Sequence, residues 1–161
     1  MTQVLVSVGS NIDREFHIVE GISALRELNP NCHCSRIFDA EPVGFEGPNF
    51  YNLVVEFQTD LTLTNMVVAL RNIESRWGRK RDSEKSQDRT LDIDLLTYGE
   101  SVRLQDPTLP RNDVYKFAFT LWPLTELCPE QVIPGDLQTY AQAWSTFNKN
   151  QALWPVFDFY L

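Results

Sequence analysis

The sequence predicts an α+β fold: an antiparallel sheet in the order β-α-β-β-α-β, helices packed on it, and extra elements at the C-terminal end. Three observations lead there. Segments of period two, "QVLVSVG", "FYNLVVEFQ" and "TLDIDLLT", alternate with two segments of helical period. Turn-forming residues separate them. The 161 residues, 43% hydrophobic, suffice for one core and contain no repeat, low-complexity tract or linker, so residues 1–161 read as a single domain.

Each element has its own signal. Residues 3–9 alternate polar and apolar side chains and read as a half-buried strand. Gly9 breaks it, and Ser10, Asn11 and Asp13 are turn and cap residues. From 13 to 28 the apolar residues Phe16, Val19, Ile22, Leu25 and Leu28 recur every three positions and predict a helix that "NPN" ends. Residues 32–38 read as a second strand, followed by the long loop "DAEPVGFEGPN". "FYNLVVEFQ" is the third strand. Thr62 or Thr64 caps a second helix with Met66, Val67, Leu70, Ile73 and Trp77 on its apolar side, and Gly78 closes it. After a charged loop, 79–89, residues 90–97 form the fourth strand, and "YGES" turns into "VRLQ". Helical segments follow near 113–127 and 137–147, and the aromatic tail "LWPVFDFYL" is apolar enough to pack on the body. This order is the split βαβ, ferredoxin-like arrangement.

Composition excludes several classes of function. The net charge of −8 argues against general nucleic-acid binding. No apolar run approaches the roughly 20 residues of a membrane span, and "MTQVLVSVGSN" reads as a first strand rather than a signal peptide, so a cytoplasmic protein is expected. Cys32, Cys34 and Cys128 fit a reducing compartment, and no further Cys or His completes a tetrahedral metal set around the first two. There is no G-x-x-x-x-G-K-[ST] motif, and neither His17 nor His33 pairs with a nucleophile.

The chemistry concentrates at "DRTLDIDLL", residues 88–96. Asp92 and Asp94 point to one side of the strand, about 6.5–7 Å apart at the backbone. Leu91, Ile93 and Leu95 point to the other. Two carboxylates on a hydrophobic strand need a cation. Both can lean toward one ion or bracket a pair, and oxygen ligands without His or Cys suit magnesium. Just upstream, residues 71–89 hold seven of the chain's fourteen basic residues, Arg71, Arg76, Arg79, Lys80, Arg81, Lys85 and Arg89. Alone, such a cluster is a solvated face. Leading into the acid pair, it becomes a phosphate grip, and the parts together describe phosphoryl-type transfer.

"VGSN" (8–11), "EPVG…PNFYN" (41–52), "IE…GRKR" (73–81), "DRTLDIDLL" (88–96) and "FTLWPLTELCPE" (119–130) occur in this order. With these motifs the chain resembles the 6-hydroxymethyl-7,8-dihydropterin pyrophosphokinases of folate biosynthesis over nearly its full length. The resemblance implies a ferredoxin-like fold and transfer of pyrophosphate from ATP to the hydroxymethyl of the pterin with two magnesium ions. It makes Asp92 and Asp94 the metal ligands and Arg79 and Arg89 the phosphate-handling arginines. It puts Arg71, Glu74 and Ile93 on the ATP side, with Arg71 where glutamine is frequent. It forms the pterin pocket from Val43, Gly44, Phe50, Asn52, Asp92 and Phe119. A flat heteroaromatic ring stacks between aromatic faces, and its polar edge pairs with an amide such as Asn52. Asn11 is expected to order the loop. The implied partners are small molecules only, ATP and the pterin, and a monomer is expected.

The chain departs from the family pattern at "LPRNDVYKFAF". Arg111 stands where a histidine is expected, Asn112 where an aromatic or proline is frequent, and Phe117 where an arginine near the phosphates is usual, with Lys116 beside it. Ser86 replaces an aromatic residue of the charged loop and Asp82 a frequent lysine. Arg111 and Lys116 are the candidate replacements on the ATP side. Two expectations follow: a working pyrophosphokinase with an altered ATP grip, or a paralogue that binds pterin or nucleotide without efficient transfer. A ferredoxin-like RNA-binding or protein-binding module is disfavoured by the acidic charge and the lack of an aromatic RNA-binding motif.

Overall fold

The computed structural model describes residues 1–78, 88–159 and 161. Its elements in chain order are β1 (Thr2–Ser10), α1 (Arg14–Leu28), β2 (His33–Cys34), β3 (Phe38–Ala40), β4 (Phe50–Thr59), α2 (Leu63–Arg76), β5 (Asp92–Tyr98), α3 (Asp113–Lys116), α4 (Ala118–Leu127), α5 (Tyr140–Thr146) and β6 (Leu153–Pro155). The sheet runs β5-β1-β4-β3-β6, with β2 also paired to β4, and its ladders are antiparallel. The expected α+β, ferredoxin-like order is therefore the observed one.

The sheet is covered on both faces. Against α1 and α2 it buries Val4, Val6, Val8, Leu53, Val55, Phe57, Ile93 and Leu95 with Ile18, Ile22, Leu25, Met66, Leu70 and Ile73. The C-terminal elements cover the other face, where Leu5, Val54 and Leu96 meet Val114, Leu121, Leu124, Ile133 and Tyr140. This double coverage explains the unbroken apolar runs Val4-Leu5-Val6 and Leu53-Val54-Val55, each residue fully buried. A bulge lets β5 serve both cores: Leu5 lies opposite Thr97 and Val6 opposite Leu95, so Leu96 is the extra residue and enters the second core.

The helix ends follow their sequence signals. Thr62, rather than Thr64, caps α2 by accepting the Asn65 amide at 3.2 Å. Gly78 lies at φ +87°, the left-handed conformation that ends helices. Thr139 and Gln142 form a reciprocal capping box at α5.

Three expectations need correction. The buried face of α1 consists of His17, Ile18, Gly21, Ile22, Ala24 and Leu25, whereas Phe16 is 55% exposed and Val19 and Leu28 are exposed too. A spacing of three slips roughly 60° per step around a helix, so five such positions cannot share one face. The strand expected over 32–38 is two short strands. Between them Ser35 donates its amide to the Val54 carbonyl at 2.9 Å and accepts the Val54 amide through Oγ at 3.0 Å. "VRLQ" forms no strand on β5, because Arg103 bridges to Leu109 instead. The aromatic tail does pack on the body: β6 pairs with β3, and Phe159 meets Tyr51 edge to face. No described helix is long and apolar enough to cross a membrane.

Candidate active site

Register sets the site. Ser7 lies opposite Asp94, and Gly9 lies between Asp92 on one neighbour and Asn52 on the other. Opposed residues point to one face, so the two acids and the amide emerge together. Gly9 makes this row possible, since a Cβ there would stand 2.7 Å from Asn52 Oδ1.

Around this row lies a cleft of about 230 Å³, with walls that include Val43 and Phe45 of the long loop, Phe50 and Asn52 of β4, Arg89, Asp92 and Asp94, and Arg111, Asp113, Phe117 and Phe119 from the second-face elements. Its aromatic surfaces are paired. Phe45 meets Phe50 edge to face at 6.1 Å, and Phe117 stacks on Phe119 at 4.7 Å with planes 15° apart. A polar clamp fixes the far end of the loop: Asp39 pairs with Arg14 at 3.2 Å and accepts Asn49 Nδ2 at 3.0 Å, while Arg14 lies 3.7 Å over the Tyr51 ring.

Asn11, which lines a separate depression with Arg14, Pro48 and Asn49, joins the long loop to the segment before β5, the ordering role expected of it. Its Nδ2 donates to Pro48 O at 3.2 Å and Asp88 Oδ1 at 2.9 Å, and its Oδ1 accepts the Arg89 amide at 2.7 Å. Its own amide donates to the Arg89 carbonyl at 3.0 Å.

A second cleft, about 160 Å³, opens on the α2 side of β5 and is lined by Val67, Leu70, Arg71, Glu74, Ile93, Asp94, Leu95, Asp106, Pro107 and Arg111. Glu74 is buried and accepts the Ile93 amide at 3.0 Å, which covers a polar group of the edge strand. Arg71 lies 3.9 Å from the exposed Asp106 carboxylate. Asp94 and Arg111 border both clefts. The Arg111 guanidinium stands 3.2 Å from Asp113 and 3.6 Å from Asp94.

Burial, and next the adjacent Asp92, push the Asp94 carboxyl well above the usual carboxylate range; Asp113 and Glu74 add to this, and Arg111 opposes it. Burial alone would lower the Arg111 pKa, but Asp94 and Asp113 outweigh it and raise the guanidinium further. Negative charge is thus crowded at the β5 edge. The donor chemistry suits a hard divalent cation, since Asp92 and Asp94 offer oxygen and neither cleft is lined by His or Cys among the described residues. Among the described residues no group of three His, Cys, Asp or Glu forms a metal site by itself. Two carboxylates with phosphate and water completing the shell is the usual condition for magnesium. The cysteines are free and line neither cleft, and burial followed by Cys34 pushes the Cys32 thiol up to about 11, away from the thiolate that metals need.

Of the residues singled out from sequence, Val43, Phe50, Asn52, Arg89, Asp92 and Phe119 line the first cleft. Arg71, Glu74 and Ile93 line the second. Gly44 is adjacent to a lining residue, but a Cβ there would meet open space, and its φ is +85°. Lys116 lines neither cleft. It borders a separate depression with Tyr115 and Gln151, its ammonium 5.2 Å from the Phe117 ring. Arg79 lies outside the described residues, as do Arg81, Asp82 and Ser86. Sequence reasoning missed Asp113 and Phe45. The signal for Asp113 was its position two residues beyond Arg111; Phe45 offered only its place in a loop already suspected of function.

Residues 5–129 match the family model described as 7,8-dihydro-6-hydroxymethylpterin-pyrophosphokinase (HPPK). Three relatives are each named 2-amino-4-hydroxy-6-hydroxymethyldihydropteridine pyrophosphokinase. The protein of Bacillus subtilis is 30% identical over 130 residues, covering 78% of this chain and 77% of its own. That of Aquifex aeolicus is 31% identical over 137 residues, covering 83% and 85%. That of Synechocystis is 32% identical over 159 residues, covering 94% and 79%. Among solved structures, an HPPK-DHPS in complex with substrates superposes with a TM-score of 0.65 at 12% identity over 90% of this chain. Plasmodium falciparum HPPK-DHPS with pterin and p-hydroxybenzoate gives 0.68 at 14% over 89%. The chain spans less than half the length of those two, 43% and 42%, and at such identity they speak for the fold. The family match and the relatives speak for more: the chain belongs to the 7,8-dihydro-6-hydroxymethylpterin-pyrophosphokinase family.

Proposed function

We propose that this protein transfers pyrophosphate from ATP to 6-hydroxymethyl-7,8-dihydropterin, with two magnesium ions, as a single domain. One observation carries the reading: an aromatic, amide-bearing cleft and a second cleft beside α2 meet at one crowded carboxylate, Asp94. The first suits a flat heterocycle. Phe50 and Phe119 offer ring faces and Asn52, held over Gly9, offers a donor and an acceptor to the pterin edge, with Val43 and Gly44 at the loop side. The second suits the nucleotide, with Arg71, Glu74, Ile93 and Arg111 around it. A site between the two brings the attacking hydroxyl and the phosphates together, and most of the rate in such reactions comes from position and charge.

Asp92 and Asp94 would hold magnesium. When bound, the metal neutralises phosphate oxygens and the charge that grows on them during transfer. The chain's own residues do the rest. Arg89, its backbone fixed by Asn11, presents a guanidinium at the cleft, and Arg79 is the second phosphate arginine by resemblance. Phe45 and Phe50 close one side against water.

The second reading, a paralogue that binds pterin or nucleotide without efficient transfer, has its own support. Phe117, at the position where a phosphate arginine is usual, lies flat on Phe119 and brings no cation to the cleft. Magnesium-dependent release of AMP from ATP in the presence of the pterin decides between them. The enzyme releases AMP, and Asp92→Asn and Asp94→Asn abolish it. A wild type that binds the pterin by calorimetry yet releases no AMP is the paralogue.

A further inference from the structure

We propose that Arg111 is an internal counter-ion of Asp94: it holds Asp94 until a divalent cation arrives, then swings about Asp113 to receive the anionic tail of the nucleotide. The inference rests on the reading of the site given above and adds to Arg111 a role in the ligand-free protein.

The geometry has the parts of a pivot. The Arg111 amide donates to the Leu96 carbonyl at 2.9 Å, which fixes the backbone beside the edge of β5. Nε stands 3.2 Å from Asp113 Oδ1, the closer of the two ion pairs. The outer nitrogen Nη2 stands 3.6 Å from Asp94 Oδ1, an ion pair but longer than a hydrogen bond. The Asp94 contact is the looser of the two and gives way first. The side chain is 43% exposed and borders both clefts, so it has space to turn. Asp94 shares its face of β5 with Asp92, lines one cleft with Asp92 and Asp113 and the other with Glu74, and pairs with Arg111 across that crowd.

A cation at Asp94 and a guanidinium at Asp94 repel each other. Binding of one displaces the other, and the displaced guanidinium, still tethered at Asp113, remains beside the nucleotide-side cleft. Arg111 therefore weakens binding of the cation alone and strengthens binding of cation and nucleotide together. Such a coupling is reciprocal by thermodynamic necessity.

The test uses Mn²⁺ alone, followed by water-proton relaxation, with wild type, Arg111→Gln and Arg111→Lys. Gln removes the charge while keeping donors for Asp113, and Lys keeps the charge. Arg111→Gln is expected to bind Mn²⁺ alone about three- to tenfold more tightly than wild type, with Arg111→Lys close to wild type. With Mn²⁺ saturating, Arg111→Gln is expected to bind a non-hydrolysable ATP analogue about tenfold more weakly. Arg111→Met runs in parallel, and whichever neutral variant keeps the wild-type circular dichroism decides. Unchanged or weaker Mn²⁺ binding in that variant overturns the inference while leaving the proposed function standing. A wild type that binds the analogue no better with Mn²⁺ than without overturns the reading of the site, and the inference with it.

Discussion

The carboxylate of Glu74, in the last turn of α2, accepts the backbone N–H of Ile93 in β5 at 3.0 Å. The bond fastens a helix to an edge strand midway between Asp92 and Asp94. Glu74 is 2% exposed, so the bond is made away from bulk water. Glu74→Ala is expected to destabilise the protein by about 1–3 kcal/mol in urea unfolding, the usual range for leaving a buried donor unpaired. Glu74→Gln retains an acceptor and is expected to lose less. Equal losses would show that the amide bond does not hold the strand.

Gly9 and Asn52 give a prediction about the pterin side alone. A methyl group at position 9 would stand 2.7 Å from Asn52 Oδ1, so Gly9→Ala must push the Asn52 amide out of place. Pterin affinity is expected to fall about tenfold or more, equivalent to about 1.4 kcal/mol, while binding of an ATP analogue with magnesium stays near wild type. Calorimetry with each ligand separately measures both. Unaltered pterin binding would remove Asn52 from the site.

Much of this arrangement was legible in the sequence. Period two in "TLDIDLL" put Asp92 and Asp94 on one face, because strand geometry leaves no other choice. Thr62 and Gly78 marked the ends of α2, since cap chemistry is local. What was not legible depends on contacts between distant segments. Residues 32–38 carry a strand pattern, yet Ser35 spends its hydroxyl on Val54 and splits the strand, a choice fixed by β4. Phe16 and Val19 look like core and are exposed, because the sheet and not the spacing selects the face of α1. The meeting of Arg111 with Asp94 requires the segment after the Arg103–Leu109 bridge to run back beside β5, and nothing local announces that.

The crowded Asp94 makes stability depend on pH in a defined direction. Burial and then Asp92 raise its folded pKa above the unfolded value near 4, so the folded state binds the proton more tightly. The stability this confers is fully present below the unfolded pKa and is lost as pH rises through the folded pKa. Asp94→Asn escapes that loss. Without added metal it is expected to melt a few degrees above wild type at pH 8, with the difference shrinking as pH falls toward about 4. Magnesium with an ATP analogue is expected to raise the wild-type Tm and leave the variant unmoved. A variant less stable than wild type at pH 8 would mean that Arg111 compensates Asp94 fully.

Asn11 supports the sharpest comparison, because its two amide atoms hold different partners. Nδ2 faces Pro48 O and Asp88 Oδ1, and Oδ1 faces the Arg89 amide, so one buried side chain ties the end of loop 41–49 to the segment that carries a phosphate arginine. Asn11→Ala removes all three bonds and is expected to cost about 1–3 kcal/mol, with faster hydrogen exchange at the Arg89 amide. Asn11→Asp keeps the acceptor for Arg89 but turns a carboxylate oxygen toward Asp88, where a donor now sits at 2.9 Å. Two carboxylates at that separation repel unless one takes a proton. Near pH 7.5 Asn11→Asp is therefore expected to be less stable than Asn11→Ala, and the order is expected to reverse on acidification, when a shared proton restores a bond to Asp88. Urea unfolding of both variants at pH 7.5 and pH 5 measures the crossing. Should Asn11→Asp be the more stable at both values, the Asn11–Asp88 bond does not hold the two loops together, and the position of Arg89 has another cause.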